Sequence, residues 1–231
     1  SSLPRSMGAA CRAAPQGQFP GPQQALSVLN LTNILFYMTV FADYFLLNNK
    51  THRAHRTYRR LLHENPQTAY EETFAAELIA SKLTEWGVDF ERGIAVTGIV
   101  ATIEGQTNKS GRTIGLRADM DALDIIEEGN KAHIPKTSGK MHGCGHDGHT
   151  ACLLGAAKYL SENRNFDGKV HLIFQPAEED QGGADHMVRA GFFDKYPCKA
   201  VYGLHNWPSM PMGKMAICKG PVTANCDEFN I

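Results

Sequence analysis

The chain has 231 residues, 42% of them hydrophobic, and a formal net charge of -1. That is enough apolar content to bury a core, which excludes a wholly disordered chain, and there is no basic excess of the kind a phosphate-binding surface needs, which excludes nucleic acid as the expected partner. The six cysteines, at positions 11, 144, 152, 198, 218 and 226, are too scattered for a disulfide scaffold and read as reduced thiols.

Residues 1–24 are rich in Pro, Gly, Ala, Gln and Ser without periodicity and are expected to form a flexible leader. Residues 25–47 are apolar over a length that could span a bilayer, but Asn30, Asn33 and Asp43 interrupt the run. An amphipathic or poorly formed extension on a cytoplasmic protein is the expectation, and a membrane anchor or uncleaved signal is the alternative. Residues 52–63 place Arg53, Arg56, Arg59 and Arg60 among Tyr58, Leu61 and Leu62, which predicts a basic amphipathic helix with solvated charges. Over 71–86, Phe74, Ala75, Leu78, Ile79, Leu83 and Trp86 fall at helical spacing and Gly87 follows where a left-handed terminating residue belongs. Residues 95–103 and 113–118, separated by the polar turn 106–111, predict a hairpin. A helix over about 149–161, a strand at 170–174, a helix at 184–190 and a strand at 200–204 complete the pattern. Strands alternating with helices indicate an α/β fold with its chemistry in the loops at strand ends.

Three stretches concentrate metal-capable side chains. In 141–149, Met-His-Gly-Cys-Gly-His-Asp-Gly-His, the Cys144 thiolate and the His146 imidazole flank a glycine that lets the backbone turn tightly, so both can face one metal ion. Packing alone needs no such glycine frame. His142 and His149 are equally compatible with supporting, capping or exposed roles. In 175–180, Gln-Pro-Ala-Glu-Glu-Asp, a solvated acidic turn competes with a reading in which one carboxylate binds metal and its neighbour takes a proton from water. In 203–208, His205 stands at a strand end, where ligands gather in open α/β sheets. Asp119 and Asp121, closing the strand from Thr113, are candidates to orient a ligand imidazole or to cap the following turn.

Together these stretches resemble the metallo-aminoacylase and hippurate hydrolase branch of the dinuclear zinc peptidases related to glutamate carboxypeptidase, a branch that also contains hydrolases of indole-acetyl amino acids. The resemblance runs in order through residues 53–66, 98–103, 115–123, 141–151, 174–179 and 203–208 and covers about 51–231. It implies a three-layer catalytic domain with a central mixed sheet over 51–220, preceded by an extension at 1–50, and the start of a lid and dimerisation domain at 221–231, where the chain stops. It further implies two divalent ions, zinc or manganese with cobalt or nickel as alternatives, held by Cys144, His146, Glu179 and His205. Glu178 would be the general base, the substrate a small N-acyl amino acid or peptide, and the complete family member a homodimer. Two departures stand out. Asp124 replaces the usual proline after Ala122-Leu123, which is expected to loosen that turn. The stop before the lid leads to an expectation of weak or absent turnover, which full turnover by the purified chain would refute. The alternatives are a non-catalytic metal-binding fragment, and a dipeptidase or deacetylase of the same fold, against which the Cys-Gly-His motif speaks.

Overall fold

The structure, a computed structural model, describes residues 49–129, 131–136, 139–211, 214–217 and 220. The expected leader at 1–24, the apolar run at 25–47 and the segment 221–231 lie outside them. Among the described residues no helix is long and apolar enough to cross a membrane. The described residues fall into two units, those up to Pro208 in the first and those from Ser209 in the second. In the second unit the described residues are exposed, and Lys214 donates its backbone N–H to the Pro211 carbonyl.

In the first unit the elements are α1 (Asn49–Glu64), α2 (Thr73–Glu85), β1 (Phe90–Ile94), β2 (Gly98–Glu104), β3 (Thr113–Asp119), α3 (His146–Glu162), β4 (Lys169–Gln175), α4 (Gly183–Arg189), α5 (Phe192–Lys195) and β5 (Ala200–Gly203). The apolar stripe of α2 buries Ala75, Ala76, Ile79, Ala80 and Leu83. Its end is set by Gly87, which adopts φ +62° and donates its N–H to the Thr84 carbonyl, as the sequence pattern indicates. The α3 stripe buries Leu153, Leu154, Ala157 and Leu160, but the helix begins at His146 rather than near 149. Gly145, left-handed at φ +96°, precedes it and lets the metal-capable segment run straight into the first turn.

The five strands are ordered β1-β2-β4-β3-β5. β3 pairs parallel with β4 and β5, while β2 runs antiparallel to both β1 and β4. The hairpin expected between residues 95–103 and 113–118 therefore does not form: β4 lies between those two strands, and the hairpin partner of β2 is β1, which periodicity did not reveal. The reason lies in the connection. After β2 the backbone at Gly105 and Gln106 bonds to Gly168 and Arg164, and a Cβ at Gly105 would sit 2.2 Å from the Phe166 carbonyl oxygen. The segment thus crosses the start of β4 instead of doubling back.

Two cores flank the sheet. On one face Leu62 of α1, Ile79 and Leu83 of α2, and Leu154 and Leu160 of α3 pack against Ile99, Ile103, Leu116, Leu172 and Phe174. On the other, Met187 of α4 and Phe192 of α5 pack against Val100 and Ile173. This is a three-layer α/β arrangement, as the resemblance implied, and each fully buried large side chain stabilises it by about 1.5–3 kcal/mol. The turn after β3 is not loosened by Asp124: Leu123 and Met141 exchange two backbone hydrogen bonds of 3.0 Å, and Lys140 reaches Asp124 at 3.0 Å.

The sheet register positions the site. Asp119 at the end of β3 lies level with Gln175 at the end of β4, and Arg117 lies level with Gly203 of β5. Three parallel strands therefore deliver the chain segments after residues 119, 175 and 203 to the same edge, where α3 starts.

Candidate metal centre

At that edge, ligand atoms of Cys144, His146 and His205, of Asp119, His146 and His149, and of His146, Glu178 and Glu179 form three overlapping groups whose members all lie within 4.8 Å of one another. His146 is common to all three. Its ring is buried at 1% exposure, and its Nδ1 lies 2.9 Å from the Asp121 carbonyl oxygen and 3.2 Å from the Asp121 carboxylate. That pairing assigns the Nδ1 proton to Asp121 and leaves Nε2 facing the site, the orientation a ligand imidazole needs. Around Nε2 stand Asp119 Oδ2 at 3.6 Å, Glu179 Oε1 at 3.6 Å and Glu178 Oε2 at 3.8 Å. Cys144 Sγ lies 3.4 Å from His205 Nε2.

Each of these side chains has a local reason for its place. Glu179 is fixed through its backbone N–H, donated to Asp121 Oδ2 at 2.9 Å. Asp121 therefore holds both His146 and the acidic turn. Asp119 receives Arg117 at 2.8 Å and lies 2.7 Å from His149 Nδ1, and Arg117 also donates to Gln175 at 2.7 Å. The far side of the His149 ring meets Asn206, whose backbone N–H donates to Nε2 at 3.0 Å. His149, which the sequence left open, is thus buried as a bridge between Asp119 and the segment carrying His205. His142 is buried as well, outside the three groups, and burial pushes its pKa down to about 4. Asn206 had no predicted role. Its side chain fills the place where a Cβ at Gly145 would lie, 2.3 Å from Oδ1, which is one reason that position is glycine.

The chemistry of these donors fits a cation. Among the described residues, His146 Nε2 and Glu179 Oε1 are buried without a hydrogen-bond partner, a costly state for two electron-rich atoms side by side unless a positive charge lies between them. A thiolate, two imidazoles and carboxylates form a donor set that zinc accepts, and manganese, cobalt or nickel also bind imidazole and carboxylate. Protonation supplies the charge when metal is absent. Burial alone would lower the His146 pKa, but the hydrogen bond to Asp121, the Cys144 sulfur and the charges of Asp119 and Asp121 outweigh it and hold the group at about 11. Burial would raise Asp119, yet the His149 hydrogen bond together with Arg117, His146 and His149 holds it at about 2.

These shifts set a pH window for the metal-free protein. Asp119 contributes stability that is complete above its unfolded value of 3.8 and is lost as pH falls through about 2, a contribution of about 2 kcal/mol from the linkage relation. His146 contributes stability that is complete below 6.5 and is lost as pH rises through about 11. Melting in the presence of a chelator is therefore expected to peak between about pH 4 and 6.5 as far as these two groups decide it. Added zinc, which displaces the His146 proton, should restore stability on the alkaline side. A melting temperature that climbs from pH 6.5 to 9 in chelator would contradict the assignment.

Comparison with known proteins agrees with this geometry. Residues 115–228 match the profile of Peptidase family M20/M25/M40. Over 173 residues the chain is 43% identical to a hippurate hydrolase of Campylobacter jejuni, covering 75% of this chain and 44% of that protein. It is 44% identical over 177 residues to thermostable carboxypeptidase 2 of Saccharolobus solfataricus, covering 75% of this chain and 44% of the relative. Among solved structures, the YXEP protein of Bacillus subtilis, a dinuclear metal binding peptidase from the M20 family, superposes with a TM-score of 0.71 at 36% identity, covering 75% of this chain and 48% of that one. The chain thus spans about half the length of the curated relatives it matches.

Proposed function

Residues 115–228 match Peptidase family M20/M25/M40, and on that premise we propose that the chain supplies the metal centre and general base of a metal-dependent amidohydrolase cleaving N-acyl amino acids. The observation that carries this reading is the pair of buried atoms without a hydrogen-bond partner, His146 Nε2 and Glu179 Oε1, 3.6 Å apart with Glu178 beside them. Cys144, His146, Glu179 and His205 would hold two divalent ions, with zinc favoured over manganese by the thiolate. Bound there, the ions would polarise the amide carbonyl and make water more acidic.

The residues of the chain do the rest. Asp121 orients the His146 imidazole, Asp119 orients that of His149 beside it, and both keep the rim negative. Glu178 is more exposed than Glu179, with side-chain exposures of 38% and 22%, so it faces the solvent side where substrate arrives. Burial and the neighbouring Glu179 raise its pKa, which suits a group that must accept a proton and return it. A water proton passes to Glu178 as the water oxygen forms a bond to the carbonyl carbon. The C–N bond then breaks, and Glu178 returns the proton to the leaving amine.

The 44% identity to a carboxypeptidase supports a second reading, cleavage of peptides with a free carboxylate. Assaying the zinc- or manganese-loaded protein on N-benzoylglycine and on an unblocked dipeptide separates the two. Slow release of glycine from N-benzoylglycine, abolished by a chelator, is expected. Preference for the dipeptide would move the assignment to the carboxypeptidase reading, and bound metal without cleavage of either would leave a metal-binding chain that is not a catalyst.

A further inference from the structure

We propose that Glu72, remote in sequence from every residue of the metal centre, is a positioning residue that holds Glu178 and Glu179 in place through the backbone at Ala177. The inference rests on the assignment of those two acids to the metal centre. Glu72 is fully buried at the N-terminal boundary of α2, where an acidic side chain ordinarily accepts the free N–H groups of its own helix. It makes no such cap. Its carboxylate instead reaches two other parts of the fold: Oε2 accepts the Thr97 hydroxyl at 2.6 Å, and Oε1 accepts the Ala177 backbone N–H at 2.8 Å.

Ala177 is the point at which the acidic turn is bent. It has φ +52°, a left-handed conformation that a side chain disfavours, and it is itself completely buried. On its other side Gly183 donates its N–H to the Ala177 carbonyl at 2.8 Å. Two residues further on, Asp121 takes the Glu179 N–H. Two acids thus grip the amides at 177 and 179, and the Glu178 side chain projects from the peptide between them toward His146. Without the grip at 177 the strained residue can relax toward an ordinary backbone conformation, which turns the following peptide and carries both carboxylates away from the imidazole. Catalytic geometry is sensitive to displacements of about 1 Å, and loss of groups that orient metal ligands typically costs about 10–100-fold in metal affinity.

The test compares wild type with Glu72→Ala, Glu72→Gln and the double variant Glu72→Ala, Ala177→Gly, using amide hydrogen exchange of the metal-free chain and titration with cobalt(II) followed by visible absorption. Glu72→Ala should speed exchange at residues 177–179 by at least about 10-fold beyond any change in α3, and weaken cobalt(II) binding by about 10–100-fold. Glutamine keeps an oxygen for the Ala177 N–H and should restore both. Glycine at 177 adopts the left-handed conformation without strain and should recover part of the affinity, which a residue serving only packing would not allow. Unchanged exchange at 177–179 in Glu72→Ala, or a glutamine variant as impaired as alanine, would overturn the proposal. If Glu72→Ala does not fold, Glu72→Leu, which preserves volume and removes the acceptor, takes its place with the same expected outcome. Absence of cobalt(II) binding by wild type would defeat the metal-centre reading, while the exchange data would still decide whether Glu72 holds the turn.

Discussion

Replacing Cys144 and His146 together by alanine is expected to strip the protein of metal. His146 belongs to all three groups of potential ligands, so its loss breaks every one of them at once. Cys144 is the thiolate that would both bind and offset the charge of two ions. The loss should exceed the roughly 10–100-fold cost of removing a mere supporting partner and register as near-zero zinc or manganese by elemental mass spectrometry, against bound metal in wild type. Far-UV circular dichroism must accompany the measurement, because removing His146 leaves Asp119 and Asp121 buried with a partner gone, a change that typically costs about 3–5 kcal/mol for a buried ion pair. Folded variant without metal supports the centre. Equal metal in both proteins would place the ions elsewhere, and none in wild type would mean that these side chains do not retain ions in this chain.

Glu178→Gln is expected to give the opposite dissociation of effects, with metal retained and hydrolysis lost. Glutamine matches glutamate in size and preserves the packing of the turn, yet cannot accept and return a proton. Removal of a general base lowers rate by about 10²–10⁴-fold. Glu179→Gln should instead lower metal content, since its Oε1 is the buried carboxylate oxygen without a partner. Rates of N-benzoylglycine cleavage beside metal content in both variants separate the roles of these adjacent acids. If Glu178→Gln loses metal and Glu179→Gln keeps it, the two assignments must be exchanged.

Features that depend on neighbours along the chain were legible in the sequence. The apolar stripes of α2 and α3, the termination at Gly87, the α/β alternation and the Cys144-Gly145-His146 frame are set by periodicity and by local backbone conformation, which a linear reading can follow. The clustering of metal-capable residues at strand ends was visible for the same reason. Strand pairing was not. Residues 95–103 and 113–118 looked like two arms of a hairpin, but β4 enters between the strands they form, and its partnership with β3 is what sets Asp119 level with Gln175 and so brings Asp121 to Glu179. The bridge from Asp119 through His149 to Asn206 and the reach of Glu72 to Ala177, 105 positions away, likewise join segments with no common local signal. Residue types and spacing determined which side chains could do the chemistry. Only the tertiary structure decided which of them meet, because pairing between distant strands is selected by burial of the whole sheet rather than by any one segment's own preference.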